Sequence, residues 1–404
     1  MEELENKYIA LLLDKCLNFK KSKSLLVSYD FGSEKFVEKL CDEAKKRGIV
    51  DICTYYENSL IKHKILDRIK LEDIESHHLF NKKIWDEYAL KKASILELTT
   101  YIPGLMDDID PVKVAKANFV DRTSRPIEKK LQLNFEIPWC IAAFPNYLWA
   151  KKLFPTLNDD DAYNKLFELI CDMCMLNNDN PLECWDLFLK RQKEYTKKLN
   201  ELQIKQLYYK NSLGTNLKIA LPENVIWQDA GNLGDDMIVN MPSYEIFTSP
   251  NYHETEGIVY NSRPLVYGGG VIDDFYIEFK NGKVINYDAK IGLDILKGII
   301  ESDNQSCYLG EVALINYNSP ISNTGLVFEE TLFDENASCH LALGNGFKEC
   351  IKNGNTLSDT ELMNKGINVS KNHVDFMIGT GDLEIEAETN QGKKLIFKKG
   401  NFNL

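Results

Sequence analysis

A short apolar segment near the end of the chain carries an imidazole beside a carboxylate. Residues 373–379 read HVDFMIG and are mostly β-branched or aromatic, a composition that favours a strand. Side chains two apart on a strand point to the same face, so His373 and Asp375 are expected to lie together. Such a pair suits the ligation of a divalent metal ion, and it also suits a buried salt bridge.

Three other segments place ionisable side chains among apolar residues. Glu245 lies in MPSYEIFTSP, Glu311 begins the apolar run of YLGEVALINY, and TLFDENASCHLALGNGF contains Glu335 and His340. An unpaired charge in such surroundings costs on the order of several kcal/mol. Since few arginines or lysines flank these segments, divalent metal ions are the simplest source of compensating positive charge.

The charges of these side chains match a pair of metal ions. Four carboxylates sum to −4, the two histidines can bind as neutral imidazoles, and two divalent cations contribute +4. Mixed ligation of this kind suits Zn²⁺, Co²⁺ or Mn²⁺, with Mg²⁺ as a further candidate, and a bridging carboxylate would hold two ions roughly 3.5–4 Å apart. No short motif joins the predicted ligands, which are Glu245, Glu311, Glu335, His340, His373 and Asp375.

The composition narrows the classes of function. The chain has 404 residues, 44% of them apolar, which suits a globular protein of two or three domains. Its net charge of −13 disfavours general binding to nucleic acid or to anionic membranes. No apolar run approaches the length of a membrane span, and the acidic N-terminus differs from a signal peptide. The cysteines are scattered, as in a reduced protein, so a cytoplasmic location is expected.

The first part of the chain alternates strand and helix signals. SLLVSY, VDICTYY, SILELTTYI and WCIAAFP are typical of buried strands, and helical segments lie between them. This order predicts parallel β-α-β units in an open α/β sheet. Residues 159–207 have a helical pattern and are expected to bridge to the next domain. No phosphate-binding glycine motif follows the first strand, so a nucleotide site is not predicted.

Strands and turns dominate after residue 211. DDFYIEFKNGKVINYDA predicts a hairpin with Asn281 and Gly282 at its turn, and DLEIEAETNQGKKLIFKK predicts a second hairpin. This part is expected to be α+β with a mostly antiparallel sheet. We therefore predict an N-terminal α/β domain with a helical bridge over residues 1–207, and a C-terminal metal-binding catalytic domain over residues 208–404.

The segments that carry the ionisable residues resemble those of the thermophilic-type metalloaminopeptidases, the family of aminopeptidases T, S and II. The similarity includes MPSYEIFTSP, LGEVALI, LFDENASCHLALGNGF and NHVDFMIGT. It continues outside these segments through PWCIAAFPNYLWAKKLFP and GTNLKIALPENVIW, and it covers nearly the whole chain in the family's order. DENASCHLALG followed by HVDFMIG is a specific combination.

This resemblance implies a two-domain, homodimeric enzyme with two divalent ions in its C-terminal domain. Position by position, the six predicted ligands match ligand or active-site positions of the family. The implied activity is removal of the N-terminal residue from peptides with a free amino terminus, by a metal-activated water. Glu311 is the first candidate for the catalytic carboxylate that passes a proton from this water to the leaving amine.

One position departs from the family pattern. The family has a tyrosine seven residues after its first histidine, where this chain has Phe347. Unless Tyr244, Tyr308 or Tyr317 supplies a hydroxyl, one hydrogen-bond donor to an oxyanion is missing, which costs on the order of 10²–10³ in turnover. Three alternatives stay open: a weakened family member that keeps its metals, a binuclear hydrolase of non-peptide amides or esters, and a protein dominated by an N-terminal ligand-binding domain.

Overall fold

The computed structural model describes residues 1–19, 22–100, 102–229, 231, 237–268 and 270–404, apart from the side chains of residues 78–81, 111 and 122. Two compact units make up the chain: Met1–Leu187 with Gly231–Ser243, and Phe188–Ala230 with Tyr244–Leu404. The predicted combination of a parallel α/β region and a mostly antiparallel region is confirmed. The assignment of residues 1–207 and 208–404 to separate domains stays a prediction.

The helices of the described residues are short to medium in length. In chain order they are α1 (Glu2–Ala10), α2 (Glu34–Lys46), α3 (Ser59–Arg68), α4 (Ile74–Leu90), α5 (Pro111–Thr123), α6 (Pro126–Leu133), α7 (Tyr147–Leu153), α8 (Asp159–Met173), α9 (Pro181–Leu202), α10 (Leu293–Ile300), α11 (Thr331–Asp334) and α12 (Asp359–Asn364). Within the described residues, no helix combines the length and the apolar character that crossing a membrane requires.

The strands are concentrated in the second half of the chain. They are β1 (Ser24–Asp30), β2 (Asp51–Glu57), β3 (Ser94–Thr99), β4 (Trp139–Ala143), β5 (Gln206–Lys210), β6 (Asn216–Ala220), β7 (Gln228–Asp229), β8 (Asn240–Met241), β9 (Ile246–Thr248), β10 (Thr255–Tyr260), β11 (Leu265–Tyr267), β12 (Gly270–Lys280), β13 (Lys283–Ile291), β14 (Leu309–Leu314), β15 (His340–Gly344), β16 (His373–Met377), β17 (Glu384–Thr389), β18 (Gly392–Lys398) and β19 (Asn401–Phe402).

The first unit is built on a parallel sheet. Its strand order is β2-β1-β3-β4-β8, and every neighbouring pair is parallel. Leu25, Leu26 and Val27 of β1 are fully buried, as is typical of a parallel strand covered on both faces. Four of these strands follow the predicted segments, whereas the two-residue β8 is too short to leave a sequence signal.

The second unit contains a long antiparallel sheet with the order β11-β12-β10-β6-β5-β17-β18-β19, and β13 pairs with β12. Both predicted hairpins are present, and Asn281 and Gly282 turn the first with positive φ angles of 49° and 77°. The predicted helical segment ends too late. Helix α9 stops at Leu202, and Leu207 lies in β5, because Leu207 and Tyr209 alternate into the core with period two.

A smaller antiparallel sheet in the same unit carries most of the predicted site residues. Its order is β16-β15-β14-β9-β7. One face of it packs into the main hydrophobic core, to which Val312, Leu341, Leu343, Val374 and Phe376 contribute buried side chains. Because side chains alternate along a strand, the residues between these point to the opposite face.

Candidate metal centre

The register of the small sheet brings four of the predicted ligands onto one face. Glu311 of β14 and Asp375 of β16 both pair with Ala342, the residue between them on β15. His340 and His373 lie two residues from Ala342 and Asp375 respectively, so they share this face. Ala342 has only a methyl group, and this leaves room between the strands for the four larger side chains.

A bulge in β14 turns Glu311 toward this face. Leu309 pairs with Leu343 and Glu311 pairs with Ala342, so the register shifts between them at Gly310. Leu309 therefore reaches the core, although it lies two residues from Glu311. An added Cβ on Gly310 would lie 2.1 Å from the carbonyl oxygen of Asn345, so only glycine fits where these backbones meet.

Glu245 and Glu335 approach the same face from outside its strands. Glu245 comes directly before β9, and Glu335 directly follows α11. Asn336 is fully buried and joins the two segments: its Oδ1 accepts a hydrogen bond from the backbone N–H of Tyr244 at 2.8 Å, and its Nδ2 donates to the carbonyl of Leu332 at 3.1 Å. The sequence analysis missed Asn336, which stands beside Glu335 in DENAS.

The ligand atoms form two groups that share one side chain. In the first group, oxygens of Glu245 and Glu311 and a ring nitrogen of His340 all lie within 4.8 Å of one another. In the second group, the same holds for Glu311, His373 and Asp375. Glu335 belongs to neither group, but it lines a small cavity of about 20 Å³ together with Asp375.

Individual distances show how closely the imidazoles face the carboxylates. His373 Nε2 lies 3.2 Å from Glu311 Oε2 and 3.3 Å from Asp375 Oδ1. His340 Nε2 lies 3.5 Å from Glu245 Oε2 and 3.9 Å from Asp375 Oδ1. The structure thus brings five of the six predicted ligands to a common centre and places the sixth next to it.

Backbone carbonyls orient both imidazole rings. His340 Nδ1 lies 2.8 Å from the carbonyl oxygen of Glu335, and His373 Nδ1 lies 2.7 Å from that of Asn345. Each Nδ1 therefore carries a proton and donates it, so Nε2 is the ring nitrogen that faces the carboxylates, and in a neutral ring its lone pair is free to bind a metal ion. This arrangement is typical of metal-ligating histidines. The sequence analysis missed Asn345, whose signal is its place in the turn GNG.

Burial and mutual repulsion raise the pKa values of three of the four carboxylates. Burial, with the neighbouring charge of Glu311, raises the pKa of Glu245 to about 8. Burial and the charges of Asp375 and Glu245 raise the pKa of Glu335 well above its usual range, and burial also raises the pKa of Glu311. Without added positive charge, the site holds protons on carboxyl groups that would be ionised in water.

The histidines supply part of the missing positive charge. Although burial lowers the pKa of His373, Asp375 and Glu311 raise it well above the usual range. Burial acts on His340 in the same direction, and Glu311 and Asp375 again raise its pKa. The pKa of Asp375 is held below its usual range by His373 and His340, in spite of burial.

The donor set fits divalent metal ions. Asp375 Oδ1 is buried and makes no hydrogen bond within the described part of the chain, although His373 Nε2 is 3.3 Å away. Across the same ranges of residues, no Lys or Arg forms an ion pair with any of the six side chains. Buried carboxylate oxygens and imidazole Nε2 atoms thus converge on one centre with no Lys or Arg among the described residues to balance their charge. A divalent cation would supply that charge.

Phe347 stands at the edge of this centre. Its ring centroid lies 5.0 Å from that of His373 and 5.1 Å from that of Phe247, and its backbone N–H donates to Ser249 Oγ at 2.8 Å. A ring that covers His373 is well placed to touch a bound substrate. A hydroxyl supplied in its place by Tyr244, Tyr308 or Tyr317 stays a prediction.

Fold and site together define the class of protein. Carboxylates and imidazoles meet at one centre on an antiparallel sheet, as in a metal-dependent hydrolase. The chain belongs to the thermophilic metalloprotease family M29, which matches residues 1–402.

Similar proteins agree with this assignment. The chain is 32% identical to aminopeptidase AmpS of Bacillus subtilis (strain 168), over 98% of both chains. It is also 32% identical to aminopeptidase 2 of Geobacillus stearothermophilus, over 98% of this chain and 97% of that protein. The structure of wild-type AmpT from Thermus thermophilus matches with a TM-score of 0.91 and 27% identity, over 100% of this chain and 99% of that one. The predicted family resemblance and enzyme class, a metalloaminopeptidase, are confirmed.

Proposed function

We propose that this protein removes the N-terminal residue from peptides by means of two divalent ions that share the carboxylate of Glu311. The observation that carries this proposal is the pair of ligand groups with Glu311 in common. Glu245 and His340 would complete one ion's protein ligands, and His373 and Asp375 those of the other. Relatives named aminopeptidases support the choice of an exopeptidase.

When bound, the two ions would polarise the scissile carbonyl, hold the free α-amino group of the substrate and increase the acidity of a nearby water. The chain's own contribution is a set of oriented ligands. The carbonyls of Glu335 and Asn345 fix the two imidazoles through Nδ1, and Phe347 covers one side of His373. Such orientation determines the geometry at which substrate and water meet.

A carboxylate must carry the proton from the water to the leaving amine. Glu311, the sequence-based candidate, stays our first proposal, and its position between the two groups gives it a second role as shared ligand. Glu335 is the second candidate, because it lies outside both groups and its pKa is raised well above the usual range by burial and nearby carboxylates. Glu335→Gln with normal metal content and strongly reduced kcat would assign the proton transfer to Glu335.

The function is tested with short peptides that have a free or an acetylated amino terminus. We expect release of the N-terminal amino acid from the free peptides only, loss of this activity after chelation, and recovery on addition of Zn²⁺, Co²⁺ or Mn²⁺. Equal activity on acetylated peptides would contradict the anchoring of the α-amino group. Hydrolysis of simple esters or amides with no release from any peptide would support the non-peptide alternative.

A homodimer and a cytoplasmic location remain part of the proposal. The homodimer follows from the family resemblance, and light scattering of the purified chain would measure it directly. The weakened-enzyme alternative depends on Phe347, because a phenyl ring at His373 offers no hydroxyl.

A further inference from the structure

A cavity of about 340 Å³ opens in the first unit and is lined by residues of that unit. It lies at the carboxyl end of β2, the edge strand of the parallel sheet, and Glu57, the last residue of that strand, lines it. Its volume is at the lower end of the range for small-molecule sites, which is roughly 300–1,000 Å³. The sequence analysis left open an N-terminal unit that binds a ligand.

Two ammonium–carboxylate pairs line this cavity. Lys82 is buried, and its Nζ lies 2.5 Å from Glu57 Oε1 and 5.0 Å from the ring centroid of Tyr55. Lys62 Nζ lies 2.6 Å from Asp121 Oδ2. The two positive and two negative charges of these pairs cancel, so the pairs together favour neither a simple anion nor a simple cation.

The rest of the wall is largely apolar. Ile61, Ile65 and Leu66 of α3 line it together with the ring of Tyr55. An aliphatic side chain would find dispersion contacts there while charged ends of the same molecule meet the two pairs.

We propose that this cavity binds a small zwitterion with an aliphatic side chain, either a free amino acid or a dipeptide. The ligand's carboxylate would bind the ammonium groups of Lys62 and Lys82, and its ammonium group would bind Asp121 and Glu57. Each charged end gains charge-assisted hydrogen bonds that a neutral group cannot form. The site lies in a different unit from the metal centre and does not depend on the proposed peptidase activity.

The test uses the full-length protein after its metals are removed, so that the metal centre cannot bind amino acids through bound ions. Isothermal titration calorimetry with L-leucine and with leucyl-leucine distinguishes a free amino acid from a dipeptide as the ligand. We expect one saturable site for at least one of these zwitterions. N-acetyl-L-leucine and L-leucinamide, each with one charge removed, should bind about 10- to 100-fold more weakly.

Matched variants locate the binding. Lys62→Met should weaken binding of the zwitterion about 10- to 100-fold, whereas Lys64→Met, an exposed lysine of the same helix outside the cavity, should leave it unchanged. Asp121→Asn is a second variant in case Lys62→Met fails to fold, which circular dichroism would show. Absence of saturable binding, equal affinity for N-acetyl-L-leucine, or equal loss in Lys64→Met would overturn the proposal.

Discussion

Replacement of Gly310 by alanine tests how the bulge in β14 supports the metal centre. The added Cβ would lie 2.1 Å from the carbonyl oxygen of Asn345 and 2.4 Å from that of Gly344. Since a carbon and an oxygen normally approach to about 3.3 Å, the backbone at Asn345 must move by roughly 1 Å. That carbonyl accepts the 2.7 Å hydrogen bond from His373 Nδ1, so the ring loses the bond that orients it.

Loss of a bond that orients a metal ligand costs about 10- to 100-fold in metal affinity or activity. Overpacking at the backbone adds a destabilisation of about 1–3 kcal/mol. We therefore expect Gly310→Ala to fold with a lower Tm, to bind metal about 10- to 100-fold more weakly and to lose activity in proportion. Metal titration, thermal unfolding and peptide hydrolysis of the same preparation measure the three effects.

Gly298 provides the matched control. It lies exposed within α10, and an added Cβ there would meet nothing within 4 Å. Gly298→Ala should leave metal binding unchanged and stabilise the protein by about 0.5–1 kcal/mol through the better helix propensity of alanine. Normal metal affinity and activity in Gly310→Ala would refute the argument that the bulge positions His373 through Asn345.

Three further predictions concern the centre itself. Phe347→Tyr should raise kcat by as much as about 10²–10³-fold if the tyrosine hydroxyl found in the family is the missing hydrogen-bond donor. The control Phe247→Tyr should not raise kcat. Equal kcat in Phe347→Tyr and the parent would show that another group already supplies the hydrogen bond. Glu335→Gln should keep its metal and lose most of its kcat if Glu335 carries the proton, and should keep both if Glu311 does; loss of bound metal in this variant would assign Glu335 to ligation instead. The metal-free protein should lose stability as pH rises, because the pKa of Glu245 is about 8 in the folded state against an ordinary 4.5. Below pH 4.5 both states hold this proton, whereas between pH 4.5 and about 8 only the folded state does, so the stabilisation falls across that interval and is lost above it. Thermal unfolding from pH 5 to 9 measures this, and a Tm that rises over the same interval would contradict it.

Much of the fold could be predicted because its signals are local. The alternation of strand and helix signals in the first part of the chain indicates a parallel sheet, and Asn281 with Gly282 specifies the turn of the first hairpin. The end of α9 could not be predicted in the same way. Gln206–Lys210 follows a charged helical pattern, and only its pairing with β17 and β6 makes it a strand.

The candidate site was predictable in its residue types but not in its geometry. Period two places His373 beside Asp375 from sequence alone. Glu311 and Asp375 face each other across Ala342 only because of the strand order and the bulge in β14. Both features are set by pairing between segments that are distant in the sequence, so they could not be predicted from it. The side chain of Asn336 binds the backbone of Tyr244, 92 residues away in the chain, and the carbonyl of Asn345 binds His373, 28 residues away, so the sequence around either asparagine does not predict these contacts.

The number of ions bound per chain tests the shared-carboxylate centre most directly. Metal-free protein would be titrated with Zn²⁺ or Co²⁺, with elemental analysis of the saturated sample, for the parent chain and for Glu311→Gln. We predict two ions per chain in the parent and weakened binding of both in the variant, because one side chain contributes to both groups. A parent that binds a single ion, or a Glu311→Gln variant that keeps two ions with unchanged affinity, would contradict the proposed centre.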